Sequence, residues 1–491
     1  MVRLQPNGNP INVEDVRIST PGLQGNVEVF RPARSQVRGR TTWSQPFADA
    51  LDAQNVRTEL VLDMSDTEEV PNLAPAGSRS TSYGEPAIVI DTLNPGRDWG
   101  QAVVYTDESG VTSWEYPVTP GSELDTTRAG TRSTFVIPRR VVRPERHQAT
   151  GTRGVASALA KKVLGLVVFP ILDREFGKVG EFFAGKWEEK RRPYGVRSWS
   201  PANYREGTGG SVDWKSVDSK KTLLLVHGTF SRTQPCFGGF PPEYVKKLHN
   251  LYEGRVLAFD HFTLSEDPHQ NVKWFMESLP SGIHLELDVL CHSRGGLVSR
   301  VLAEQAQRFQ TKADGVQVEK VVFVATPNTG TVLADAKHMK DWIDTYTNIL
   351  NFFPPNGVTD AIETVVTVVK HVAIGTLKGL KGLQSMHPSG DFLKDLNKDA
   401  DRRPQYFAMA ADYEPIHAGW SQMLKDRAMD SIFGGGNDLV VPTAGVFSEN
   451  GSSLFPITER LEFGDREGVY HSGFWTNEKA QSQLMKWLEA R

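Results

Sequence analysis

LDVLCHSRGG, residues 287–296, decides how the rest of the chain is read. The apolar run Leu287 to Cys291, broken only by Asp288, leads into His292, Ser293, Arg294 and two glycines. Beyond them Leu297, Val298, Val301, Leu302 and Ala306 recur at helical spacing. The stretch therefore reads as strand, sharp turn and helix, with a serine at the apex. So tight a turn pushes the Ser293 side chain out above the sheet, and Gly295 lets helix and strand pack closely because it brings no Cβ between them. Cys291 stands where such turns commonly begin with glycine. That position mainly needs a small side chain, so the turn is expected to tolerate it.

Working outward, the chain from Lys221 onward alternates strands with helices, the pattern of a mostly parallel sheet covered on both faces. TLLLVHG is a buried strand ending in a loop, and RVLAFDHF, residues 255–262, is the next strand. Asp267 followed by Pro268 is a helix start, leading to Val272, Phe275, Met276 and Leu279. VEKVVFVATP, residues 318–327, is another core strand. Helix-like stretches then interrupt the alternation, including Trp342 to Phe353 and AIETVVTVVKHVAIG, residues 361–375. They predict a cap over about residues 331–397, whose apolar faces suit either an acyl chain or packing onto the cap's own domain. Strands resume at QYFAMAADY, residues 405–413, and FPITERLEF, residues 455–463, and a last helix spans Thr476 to Arg491.

The upstream half is harder to read. Residues 1–80 are rich in Pro, Gly, Ser, Asn and Arg and are expected to form an irregular arm. AIVIDTL, QAVVYTDESG, VTSWEYPV and STFVIPRRVV predict a small β-rich module over 81–150, sandwich-like or barrel-like. Residues 151–205 are expected as a helical linker before a domain spanning 206–491. Within the linker, the apolar centre Val163 to Leu172 is about half of the roughly 20 residues a membrane span needs and is broken by Pro170. It predicts a helix packed on its neighbours, or an interfacial helix giving peripheral membrane contact. The basic run KRRPYGVR reads as a solvated linker face.

Composition narrows the function classes. A chain of 491 residues is long for one domain, and a formal net charge of -4 gives no reason to expect a nucleic-acid partner. With only Cys236 and Cys291, a disulfide framework is ruled out as an organising device, and the start of the chain shows no apolar signal segment. A cytoplasmic location is the expectation; oligomeric state is not legible.

A serine hydroxyl is a poor nucleophile at neutral pH and needs a base, with an acid to fix the base's tautomer. VHGTF, CHSRGG, ATPNTGT, GLQSMHPSGDFLKDLN, GGGNDLVVP and VYHSGFW together resemble the α/β-hydrolase superfamily, in particular its lipase-like branch, which includes triacylglycerol lipases and deacylases of glycolipid-anchor processing. The resemblance covers about residues 221–491. It implies an α/β-hydrolase fold with a helical cap insertion, preceded by the β-rich module, and it makes LDVLCHSRGG the nucleophile elbow. It also implies Ser293, Asp438 and His471 as a triad in the chain order of that fold. Asp412, at the end of strand 405–411, competes as the acid. His227, His387 and His417 are weaker candidates for the base, and His292 is expected to point elsewhere. Thr229 and Arg294 would supply the backbone N–H donors of an oxyanion hole, with Phe230 the alternative to Thr229.

These readings predict a serine hydrolase cleaving carboxylic esters, of lipid or acyl type, through an acyl-enzyme intermediate with no metal and no cofactor. A silent hydrolase fold that only binds, suggested by Cys291, and a peptidase or thioesterase using the same triad remain as alternatives.

Overall fold

The computed structural model describes residues 1–32, 43–70, 87–96, 98–118, 132–138, 162–170, 183–206, 209–354, 358–375, 377, 380–398, 404–415, 421, 433–449 and 453–490. Its N-terminal part contains β1 (Val2–Arg3), β2 (Ile11–Val13), β3 (Val16–Ser19), β4 (Leu23–Phe30), β5 (Arg57–Glu69), β6 (Ala87–Leu93), β7 (Trp99–Thr106), β8 (Thr112–Glu115), β9 (Arg132–Pro138) and β10 (Lys162–Pro170). These form two antiparallel sheets, in the orders β1-β4-β5-β10-β7-β8 and β2-β3-β6-β9. Leu60, Leu62 and Met64 of β5, Val103 and Tyr105 of β7, and Ile88, Ile90, Phe135 and Ile137 of the smaller sheet fill the core between them.

Two expectations are corrected here. The described residues among the first 80, 1–32 and 43–70, are not an irregular arm: they supply β1 to β5 and the helix Gln45–Ala53. The alternation Leu60, Leu62, Met64 carried that signal, whereas β1 to β3 are too short to show a period. Nor is the apolar centre of the linker a helix. Residues 162–170 form β10, a strand in the interior of the six-stranded sheet. Leu164 and Leu166 face the sandwich core, while Val167 and Phe169 face the opposite side, packed among residues of the cap. A strand covered on both faces is apolar throughout and loses the alternation that marks a strand. Residues 139–161 and 171–182, which flank it, lie outside the described residues.

The second half has the α/β-hydrolase fold. Its strands are β11 (Gly195–Ser198), β12 (Lys221–Val226), β13 (Val256–Asp260), β14 (His284–His292), β15 (Gly315–Val324) and β16 (Gln405–Ala411), followed by a two-stranded ribbon, β17 (Ser448–Glu449) with β18 (Ser453–Leu454), and then β19 (Ile457–Phe463). The main sheet runs β11-β13-β12-β14-β15-β16-β19, antiparallel only at β11. Because β11 belongs to this sheet, the hydrolase unit takes in residues expected to be linker. Asp267 caps the helix Pro268–Ser278 by accepting from Gln270 N, and Asn477 caps the last helix, Glu478–Glu489, by accepting from Ala480 N.

The cap helices Met339–Phe352 and Val358–Ala373 lie between β15 and β16 in sequence. The six-stranded sheet packs on them. The edge strand β8 has its backbone satisfied by side chains of the first cap helix: Asn348 Oδ1 accepts from Thr112 N at 2.9 Å, Asp344 Oδ1 accepts from Trp114 N at 2.8 Å, and Asn348 Nδ2 donates to Thr112 O at 2.7 Å. Of the two roles left open for the cap's apolar faces, much of that surface is used in packing. Ile362, Val365, Val366 and Val369 are all buried. Among the described residues, no helix is long and apolar enough to cross a membrane.

Candidate active site

β14 ends in the turn expected of it. Ser293 sits at φ +53°, a left-handed conformation rare for a residue with a side chain, and its N–H donates to Val324 O at 2.8 Å. The helix Gly295–Gln305 starts two residues later. A Cβ on Gly295 would lie 2.4 Å from Val226 O and 2.5 Å from His227 O, so helix and neighbouring strand meet backbone to backbone. Gly228 is equally constrained: a Cβ there would lie 2.7 Å from Ser293 Cβ. Cys291, at the position where glycine is usual, is wholly buried and its Sγ donates to Val322 O at 3.3 Å. Burial pushes its thiol up to about 12, which keeps it protonated.

The loop after β16 and the loop after β19 bring Asp438 and His471 together. His471 Nδ1 lies 2.8 Å from Asp438 Oδ2, and both side chains are about 2% exposed. The other carboxylate oxygen of Asp438 accepts from the backbone N–H groups of Val440 at 3.0 Å and Val441 at 2.8 Å, so the carboxylate is held at both ends. A carboxylate can only accept, so Nδ1 donates, and in the neutral imidazole the lone pair is then on Nε2. That Nε2 is buried and has no hydrogen-bond partner among the described residues. Asp412 does different work: its Oδ1 accepts from Asn437 N at 3.1 Å, fixing the loop that carries Asp438.

Other histidines have structural partners. His292 donates Nε2–H to His471 O at 2.8 Å and so supports the loop of His471. Burial, then the neighbouring His471, lowers its pKa to about 3 and keeps it neutral. His227 donates Nδ1–H to Gly228 O at 3.0 Å and accepts from His261 N at 3.2 Å; burial lowers its pKa to about 4. His387 lies 3.5 Å from Asp335 in the cap region. His417 is outside the described residues.

Neither the N–H of Thr229 nor that of Arg294 is taken by a backbone hydrogen bond among the described residues. The Thr229 hydroxyl faces Met386 Sδ at 3.7 Å, and Phe230, the alternative donor, has φ +59°. Above this group the first cap helix contributes aromatic rings. Tyr346 stands edge-on to Phe230 at 4.6 Å and to His471 at 6.3 Å, and Trp342 lies 5.5 Å from Phe230. Neither of these two cap residues was singled out in the sequence as part of the site. The helical periodicity of the cap was visible, but which face would meet the elbow was not. Among the described residues no group of three or more His, Cys, Asp and Glu side chains is arranged to hold a metal ion.

Comparisons with known proteins cover part of the chain. Lipase 1 from Pelosinus fermentans superposes on 55% of this chain and 98% of its own, with 13% identity and a TM-score of 0.37. An enol-lactonase from Burkholderia xenovorans LB400 covers 60% of this chain and 96% of its own, with 12% identity and a TM-score of 0.30. Lipase B from Aspergillus fumigatus covers 60% and 56%, with 13% identity and a TM-score of 0.33. No curated protein matches the sequence. Residues 191–489, well over half of the 491-residue chain, match the model of one family, and the chain belongs to that family, described as "Domain of unknown function (DUF7379)".

Proposed function

We propose that the chain is a serine hydrolase cleaving carboxylic esters of lipid or acyl type. The observation that carries the reading is the buried Asp438–His471 pair, whose loop is tied through His471 O to His292, the residue before the elbow serine. His471 Nε2 takes the Ser293 hydroxyl proton as the oxygen attacks the ester carbonyl, and Asp438 stabilises the imidazolium that results. The N–H groups of Arg294 and Thr229 receive the oxyanion. The imidazolium then gives its proton to the leaving alcohol, an acyl-serine remains, and water activated by His471 releases the acid and restores the hydroxyl. Trp342, Tyr346 and Phe230 form an apolar wall suited to an acyl group.

The test is a chain-length series of nitrophenyl esters on the full chain and on Ser293→Ala. The reading expects turnover that rises with acyl length and falls by about a millionfold, to background, in the variant. Turnover unaffected by Ser293→Ala would refute it. A second reading, a hydrolase fold that binds without turnover, draws on the absence of a hydrogen bond at His471 Nε2 and on the burial of Ser293; it expects no turnover with any ester. Turnover of thioesters or peptides alone would favour the thioesterase or peptidase alternative, which uses the same groups.

A further inference from the structure

Glu188 lies on the helix Phe183–Arg191, ahead of the segment that matches the family, and its side chain is wholly buried. Its carboxylate accepts from the backbone N–H groups of Thr263 at 2.6 Å, Leu264 at 2.9 Å and Ser265 at 2.9 Å, and from the Ser265 hydroxyl at 2.6 Å. The other side of the same loop is held by Arg294. Its guanidinium donates to Phe262 O at 3.4 Å, to Glu266 O, to Asn271 Oδ1 at 3.1 Å, and through Nε to Gly382 O at 2.9 Å at the end of the cap.

The peptide joining Phe262 to Thr263 is therefore gripped at both ends, its carbonyl by a cation and its N–H by an anion. Its dipole lies along the line between the two charges and couples them without direct contact. Such coupling matters because the guanidinium is wholly buried. Burial lowers the Arg294 pKa to about 10, and Glu188 is the strongest of the charges opposing that shift. Arg294 follows Ser293 directly, so whatever fixes its side chain also fixes the peptide of the elbow.

We propose that Glu188 is a positioning residue for ester hydrolysis: through the loop 262–266 it sets the Arg294 guanidinium, and with it the elbow N–H that receives the oxyanion and the cap end at Gly382. The inference rests on the serine-hydrolase reading. It also makes an element outside the matched segment part of the working site.

The test uses the full chain and Glu188→Gln, which keeps the shape and one acceptor oxygen but removes the charge. Active sites are titrated with a fluorophosphonate probe, and kcat per titrated site, KM and Tm are measured with a nitrophenyl ester. A displaced donor predicts a loss of about ten- to a hundredfold in kcat per titrated site, with KM changed by less than about twofold. A residue that only stabilises the fold would lower Tm and the number of titratable sites while leaving kcat per site unchanged, and that result overturns the proposal. If Glu188→Gln yields too little folded protein, Ser265→Ala removes one of these bonds; a smaller loss of kcat per site is expected, and none would overturn the proposal. Arg294→Lys provides the coupling. Combined with Glu188→Gln it should lose less than the product of the single losses, whereas a full product would contradict the link. Wild-type protein that neither labels nor turns over any ester would instead fail the hydrolase reading itself, before any variant is compared.

Discussion

The elbow and the contact between cap and sandwich are both buried, yet they are assembled in opposite ways. At the elbow, backbone meets backbone: Gly295 faces Val226 O and His227 O, with no room for a carbon atom between them. Where the cap meets β8, side chains meet backbone, and Asp344, Thr347 and Asn348 bond an edge strand and the Trp114 indole. The first arrangement tolerates loss of atoms but no addition. The second tolerates small additions at its margin but not the loss of a polar partner, because a buried N–H left alone costs the desolvation it can no longer recover. The chemistry is thus held by shape on one side and by hydrogen bonding on the other.

Four substitutions and one titration sharpen this contrast. Gly295→Val should be the most damaging, destabilising by at least about 4 kcal/mol because the atoms it meets are backbone and cannot rotate away; a urea midpoint near wild type would break the account of the elbow. Trp114→Ala should cost about 3 kcal/mol, from the loss of a wholly buried ring and its bond to Thr347, and leave the elbow glycines untouched. Asn348→Ala should cost about 1 to 3 kcal/mol, since Thr112 N and Thr112 O both lose their partner. Cys291→Gly, which removes atoms at the elbow, should cost only about 1 kcal/mol and keep the site intact, measured by the same denaturation and by ester turnover.

The titration separates the two regions by charge. His227 and His292 lie beside the elbow and are held neutral, with pKa values lowered to about 4 and about 3 from an ordinary 6.5. Between those values the unfolded chain binds more protons than the folded one. Stability is therefore fully present above pH 6.5 and falls as pH drops toward 4. The urea midpoint should decline over that window, and His292→Gln should flatten the decline. An unchanged slope would mean that the elbow histidines do not govern it.

How much of this was legible follows from the range of the interactions. The elbow, the order of β12 to β16, and the loops carrying Asp438 and His471 are written in short segments whose patterns survive without knowledge of the neighbours. Gly295, for example, is legible as part of the turn around Ser293, although the backbone it must approach, Val226 and His227, lies in another strand. β10 was misread because its second face is covered by the cap, and nothing in KVLGLVVFP announces a partner two hundred residues away. Glu188 was invisible for the same reason. An acidic residue in a charged stretch, WEEKRR, reads as solvated surface until the loop 262–266 is seen folded around it. Asp438 already stood ahead of Asp412 in sequence through its GGGNDLVVP context, and the structure adds what Asp412 does instead, accepting from Asn437 N while Asp438 meets His471.

The most direct measurement of the central claim is mass spectrometry of the full chain after incubation with a fluorophosphonate. The account predicts one adduct per chain, mapped to the peptide containing Ser293, lost in Ser293→Ala and nearly lost in His471→Ala. Labelling that persists in Ser293→Ala, or a wild-type chain that stays unlabelled, would contradict it.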